Sequence, residues 1–239
     1  YGYSAASRLT SLIHNLEGAA TTNDANWTFG YNVAGQVTSR TLVQVYERTV
    51  PALNQAYTRD GLNRYNTVGG AAVNYDARQN LTSDSSRNFT YDYENRLLTA
   101  SGSVSGTLAY DPLGRLRSYA TGGTTTELLY DGDRLVLEYN ASGGALLRRY
   151  AHGAGVDEPL IWYEGASAGS GHNWLIADRQ GSIIATTNAS GTATTYSYDP
   201  YGRPNAWAGP RFRYTGQIVL PELQLYHYKA RAYDPGIGR

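Results

Sequence analysis

Cysteine and methionine are both absent from the 239 residues. No disulfide or thiol chemistry is available, and the redox compartment is left open. A chain that opens on YGYS without methionine is expected to be a piece of a longer protein, or to have lost its start. An excess of charge is missing too. Lys+Arg and Asp+Glu both number 20. No basic stripe is present, so a nucleic-acid partner is not expected. No block of like charge forms a tail. Long apolar runs are lacking, the longest being about five residues, which excludes a membrane-spanning helix. No signal peptide pattern is visible. Phenylalanine is scarce, at 3 residues against 22 Tyr and 4 Trp. A sealed apolar core would use more Phe. Tyr pairs an apolar ring with a hydroxyl that needs water or a partner, and suits a half-buried sheet.

What is present is a turn-rich, repetitive chain. Its 27 Gly, with many Asn, Asp, Ser and Thr, point to frequent turns and short strands. Internal repeats are sought first, because missing one misreads the fold. The stretch YDARQNLTSDSSRNFTYDYENRLLTA (75–100) repeats one pattern sixteen residues apart. The seven slots are Tyr, Asp/Asn, two free positions, Gly/Asn, Arg/Gln and an aliphatic. Units begin at Tyr3, Tyr31, Arg59, Tyr75, Tyr91, Tyr110, Tyr130 (one residue short), Tyr139, Ala177, Tyr198 and Tyr233 (with an extra residue before Gly238). The clearest are spaced by 16, 19 and 20 residues, a period that fits two strands and a turn.

Each slot has a local reason. Asp or Asn at the second accepts a backbone N–H two residues on and folds the chain. Gly or Asn at the fifth tolerates positive φ. Arg at the sixth can pair with the Asp or lie over a Tyr ring. The turn residues expected on this pattern are Tyr31, Asn32 and Gly35; Tyr75, Asp76 and Asn80; Tyr91, Asp92, Asn95 and Arg96; and Tyr110, Asp111, Gly114 and Arg115. They continue with Tyr130 and Asp131; Asp178 and Gly181; Tyr198, Asp199, Gly202 and Arg203; and Tyr233, Asp234, Gly238 and Arg239. Between turns, TTELLYD, DRLVLEYN, ALLRRYA, PLIWYEG and SIIATTN read as strands. Residues 40–62 are the least regular, either a long loop or a segment with a short helix, broken by Pro51.

One hairpin alone is marginal in water, so eleven units must stack into an extended sheet. The expected fold is all-β: antiparallel strand-turn-strand units forming one large curved or spiralling sheet. Its first and last strands would expose unpaired edges.

The units resemble the YD repeats of bacterial Rhs proteins. HGAGVDEPLIWYE (152–164), ADRQGSI (177–183), YSYDPYGRP (196–204), RFRYTGQ (211–217) and LYHYKARAYDPGIGR (225–239) resemble the Rhs repeat-associated core. The resemblance implies a YD-repeat sheet over 1–150 and a core region over 151–239 continuing it. Rhs proteins, Tc-toxin C components and teneurins resemble one another in spiralling into a hollow shell. The implied function is a non-enzymatic β-shell segment of a secreted or cell-surface protein. Its partners would be its own C-terminal toxin or other polypeptide cargo, and neighbouring YD segments or further copies, joined edge to edge or stacked. Many members carry a self-cleavage segment using acidic residues. That alternative places cleavage beyond Arg239, with Asp234 the nearest acidic turn residue.

Against an acid-base reading of the Tyr-Asp pairs, a catalytic pair is needed once, not in serial copies. His14, His152, His172 and His227 lie far apart, at no metal-ligand spacing. GSGH (169–172) has no nucleophile elbow. Five Asn-x-Ser/Thr matches (Asn26, Asn80, Asn88, Asn140 and Asn188) fall mostly at turns, where those residues are expected anyway. No cofactor is expected. The alternative from another class is an adhesion or carbohydrate-binding module using exposed Tyr with Trp27, Trp162, Trp174 and Trp207.

Overall fold

The computed structural model describes residues 1–16, 21–43, 55–167 and 171–239. The middle of the irregular 40–62 stretch, and Gly169 and Ser170 of GSGH, lie outside the described residues. Among the described residues there is no α-helix, and the architecture is antiparallel β throughout.

Four sheets follow one another in chain order. The first holds β1 (Gly2–Tyr3), β2 (Leu9–His14), β3 (Ala25–Tyr31) and β4 (Val37–Val43). The second holds β5 (Tyr57–Arg59), β6 (Tyr65–Val68) and β7 (Ala71–Ala72). The third and largest has thirteen strands, paired strictly in sequence order. These are β8 (Asn74–Tyr75), β9 (Leu81–Ser83), β10 (Arg87–Tyr91), β11 (Leu97–Gly102), β12 (Gly106–Tyr110), β13 (Leu116–Thr121) and β14 (Thr124–Asp131). They continue with β15 (Arg134–Asn140), β16 (Leu146–His152), β17 (Pro159–Glu164), β18 (His172–Ala177), β19 (Ile183–Asn188) and β20 (Ala193–Thr195). A 3-10 turn at Tyr214–Gly216 precedes β21 (Ile218–Leu220), β22 (Leu225–Tyr228) and β23 (Arg231–Tyr233), the fourth sheet.

The large sheet does not close. Among the described residues β8 pairs only with β9, and β20 only with β19. It passes through residue 150 without a break, inside β16. Alternation decides which side chains turn inward. In β12, Gly106 and Leu108 are buried while Thr107 and Ala109 face out, the period of two that a pleated strand imposes.

The sheet is not bare on its apolar face. After β20 the chain folds back over it. Phe212, Ile218, Leu220, Leu223 and Leu225 share one buried cluster with Phe89, Leu97, Leu108, Leu116, Leu128 and Leu135 from the sheet. The approach is close at Gly106, where an added Cβ would lie 2.9 Å from Leu223 Cδ2 and 2.9 Å from the Ala120 carbonyl oxygen. The first sheet packs at the far end, where Leu12, Trp27 and Phe29 meet Ile184 and Ala185.

Candidate functional site

The repeat turn is one hydrogen-bonded design used many times. At Asp111 the backbone N–H donates to the Arg115 carbonyl (2.9 Å), and the Gly114 N–H donates back to the Asp111 carbonyl (2.9 Å). Asp111 Oδ1 accepts the N–H groups of Leu113 and Arg115, both at 2.9 Å. Its Oδ2 accepts Arg115 Nε at 2.7 Å. Gly114 has φ +81°, the left-handed conformation that closes the loop. Asp76, Asp92, Asp178 and Asp199 make the same Oδ1 bonds to the N–H groups two and four residues on. At the turn after Tyr75, positive φ falls on Gln79 (+74°), while Asn80 takes the Arg slot and donates to Asp76 Oδ2 at 2.9 Å. Asn32 accepts the Gln36 N–H at 2.9 Å and Gly35 has φ +82°.

Two expected turns are built differently. Asp131 does not fold back: it ends β14 and pairs with Arg134 across the two residues Gly132 and Asp133. The shortened unit leaves too few residues for a five-residue loop. At the last unit, Asp234 Oδ1 accepts the Gly236 N–H (2.7 Å) and the Gly238 N–H reaches the Asp234 carbonyl (2.9 Å), with the extra residue enclosed.

The turns also grip one another. Several first-slot Tyr residues follow a register shift, as at Thr90/Tyr91, Ala109/Tyr110 and Leu129/Tyr130. In several first-slot Tyr residues the hydroxyl donates to the aliphatic-slot carbonyl of the preceding unit. Tyr91 reaches Leu81 (2.8 Å), Tyr110 reaches Leu97 (2.9 Å), Tyr130 reaches Leu116 (3.0 Å) and Tyr198 reaches Ile183 (2.6 Å). His152 Nε2 makes the equivalent contact to the Leu135 carbonyl at 2.8 Å. The sixth-slot Arg of the preceding unit lies over the same ring: Arg96 is 5.0 Å from the Tyr110 centroid and Arg115 is 5.1 Å from that of Tyr130. Burial pushes the Tyr91 hydroxyl up to about 12, and those of Tyr110 and Tyr130 higher still. These hydroxyls are permanent donors, not acids. The sequence alone signals the Tyr but not this reach between units.

Carboxylates respond to what fills the sixth slot. For Asp92 and Asp111 burial opposes ionisation, but hydrogen bonds from Arg96 and Arg115 outweigh it and hold both carboxyls below their ordinary value. Asp178 has Ser182 there instead, and burial pushes its carboxyl up.

Two buried ion clusters fasten the returning C-terminal segment. Glu138, fully buried on β15, accepts Arg211 Nε (2.9 Å) and Nη2 (3.0 Å) and the Tyr150 hydroxyl (2.6 Å). Arg211 also donates to the Tyr119 hydroxyl and to the Val219 carbonyl (2.8 Å). Burial alone would push the Glu138 carboxyl up; the Arg211 guanidinium outweighs it, and Glu138 titrates below its usual range. In the second cluster Arg87 bridges Asp84 (2.5 Å) and Asp234. Asp234 is thus both a turn former and half of a buried ion pair. Arg87 and Arg211 stand outside the repeat slots, and their ties to Asp234 and Glu138 span 147 and 73 residues.

The remaining candidates are dispersed. Trp27 is buried in the N-terminal cluster, Trp162 packs against the main core, Trp207 leans on Tyr226 and Trp174 stacks edge-on with His172. They form no shared platform. Among the described residues no group of three His, Cys, Asp or Glu could hold a metal ion. No helix there is long and apolar enough to cross a membrane.

Comparison with known proteins gives one family. The teneurin YD-shell family model matches residues 1–239. The tRNA3(Ser)-specific nuclease WapA of Bacillus spizizenii is 27% identical over 220 residues, covering 87% of this chain and 9% of WapA. The crystal structure of TcdB2-TccC3-Cdc42 superposes with TM-score 0.57 at 18% identity, over 100% of this chain and 14% of that one. A Photorhabdus luminescens Tc holotoxin pore carrying TccC3-D651A gives TM-score 0.59 at 18% identity, over 90% of this chain and 12% of that one. This chain therefore spans under a seventh of each of these relatives.

Proposed function

Because the chain belongs to the teneurin YD-shell family, we propose that it is one arc of a β-shell wall that encloses and shields a polypeptide. The observation that carries this is the thirteen-stranded ladder, built from one turn unit and, among the described residues, with no second partner strand for β8 or β20, the Val73 N–H just before β8 bonding the Asn66 carbonyl of β6 (2.9 Å). Such ends add further strands readily. A wall segment has this character; a self-contained domain has not.

The chain's part in this is structural. Its Tyr-Asp pairs are spent on turns and on joining neighbouring units. Asp84 and Asp234 share the Arg87 guanidinium, which commits both carboxylates to a buried ion pair between the sheet and the returning segment. The fold is shared with a Tc toxin component, and the WapA relatives are nucleases by name. We assign this segment to the wall around a toxin-type cargo, in a secreted or cell-surface protein, and assign no nuclease chemistry to it.

The test is limited proteolysis of the intact protein, followed by intact-mass analysis. A stretch outside the repeats that resists cleavage until the repeats unfold is the expected result. Uniform cleavage of everything outside the repeats, with the repeats still folded, overturns the enclosure. Small-angle scattering adds a second arm: a compact 239-residue unit has a radius of gyration of about 18 Å, and a wall segment or its assembly exceeds it.

A further inference from the structure

We propose that the cavity between the repeat turns and the C-terminal hairpin binds a small neutral hydroxyaryl molecule, whose hydroxyl pairs with the His227 imidazole. The cavity measures 420 Å³, within the roughly 300–1,000 Å³ of small-molecule sites. It lies where the turns after Tyr91, Tyr110 and Tyr130 face β21 and β22. This site is independent of what the shell encloses.

Its lining is apolar and aromatic. Leu116, Leu135, Phe212 and Ile218 are all buried and face the cavity beside Tyr130. Phe212 is held edge-on by Tyr150 (4.9 Å) and His152 (5.3 Å), so its ring is preset for a planar guest. Of the neutral polar side chains in this lining, His152 is bonded to the Leu135 carbonyl and Gln217 to the Asp157 carboxylate, whereas His227 is not so engaged. His227 is 4% exposed and lines the cavity. Its ring nitrogens have no hydrogen-bond partner among the described residues, and its only ring neighbour is Tyr110 at 6.1 Å. These nitrogens are not among the fully enclosed unpaired polar atoms of the described residues, so they stay open to the cavity and a guest there can reach them.

The charge pattern decides the class of guest. Burial, helped by Lys229, holds the imidazole down to about 4, so at neutral pH it offers one donor and one acceptor. A hydroxyl matches that pair. A carboxylate would be desolvated with no cation beneath it. At the mouth, Glu94 is paired with Arg96 (2.7 Å), Lys229 with Asp157 (2.7 Å) and Arg115 with Asp111 (2.7 Å). The two charges left, Asp133 and Arg134, are adjacent and of opposite sign. The mouth therefore selects no net charge.

The test titrates the intact protein with 6-bromo-2-naphthol and with 6-bromo-2-naphthoate by calorimetry, and locates bromine by anomalous diffraction. The naphthol is expected to bind at least tenfold more tightly than the naphthoate, with bromine in this cavity. His227→Phe should weaken the naphthol about three- to tenfold. Absence of binding at millimolar concentration, equal affinity for the naphthoate, or bromine elsewhere overturns the proposal. If His227→Phe does not fold, the wild-type affinity ratio and bromine position decide it.

Discussion

The hydroxyl of Tyr110 donates to the carbonyl of Leu97 at 2.9 Å, across the boundary between two repeat units. That one bond explains why this chain uses Tyr where a core would use Phe. The ring packs half-buried against the core, and the hydroxyl satisfies the Leu97 carbonyl of β11 in the preceding unit.

Tyr110→Phe keeps the ring and loses the hydroxyl. It is expected to cost about 1 kcal/mol, the net value of one hydrogen bond. Urea unfolding should show a lower midpoint with unchanged slope. An unshifted midpoint would show that the hydroxyl does not hold the units together.

Asp111→Ala removes the acceptor for the Leu113 and Arg115 N–H groups and the partner of Arg115 Nε. Asp111→Asn keeps an Oδ1 acceptor, as Asn32 and Asn188 do at their own turns. The alanine variant should be the less stable of the two, by about 1 kcal/mol. Equal thermal midpoints would remove the carboxamide-competent turn from the account.

Arg211→Met strands the buried Glu138 carboxylate, with only Arg148 at 3.4 Å as a remaining cation. Breaking such a pair from one side costs about 3–5 kcal/mol. The double variant Arg211→Met/Glu138→Leu should be more stable than Arg211→Met alone. A double-mutant cycle with zero coupling would exclude the pair as a clasp.

His227 sets an acid limit. Its folded value is about 4, below the ordinary 6.5, so between those limits the unfolded chain binds more protons. Stability therefore rises with pH through that window, is complete above about 6.5 and falls as the medium is acidified. The full effect is up to roughly 3 kcal/mol. Unfolding measured from pH 7 to pH 4.5 should show His227→Phe losing less stability than the wild type; parallel curves would place the acid sensitivity elsewhere.

The pattern of Tyr, Asp, Gly and Arg slots was readable because every bond it makes inside a turn spans five residues or fewer. Asp92 folds its own loop, Asn95 supplies positive φ and Arg96 pairs back four residues. The all-β class and the large unclosed antiparallel sheet follow from repeating that brick. Asp131 escaped the pattern because its unit is one residue short, and a two-residue hairpin has no use for the carboxylate.

Local chemistry determined the brick, the period and the class of fold. Only the tertiary structure decided how bricks join and what covers them. The Tyr hydroxyl reaches a carbonyl in another unit, Arg211 finds Glu138 across 73 residues, and Arg87 finds Asp234 across 147. The two ion pairs depend on how the chain turns back over its own sheet after β20. Burial of Phe212, Leu220 and Leu223 against the strand interiors drives that return, and no short window of sequence contains both surfaces.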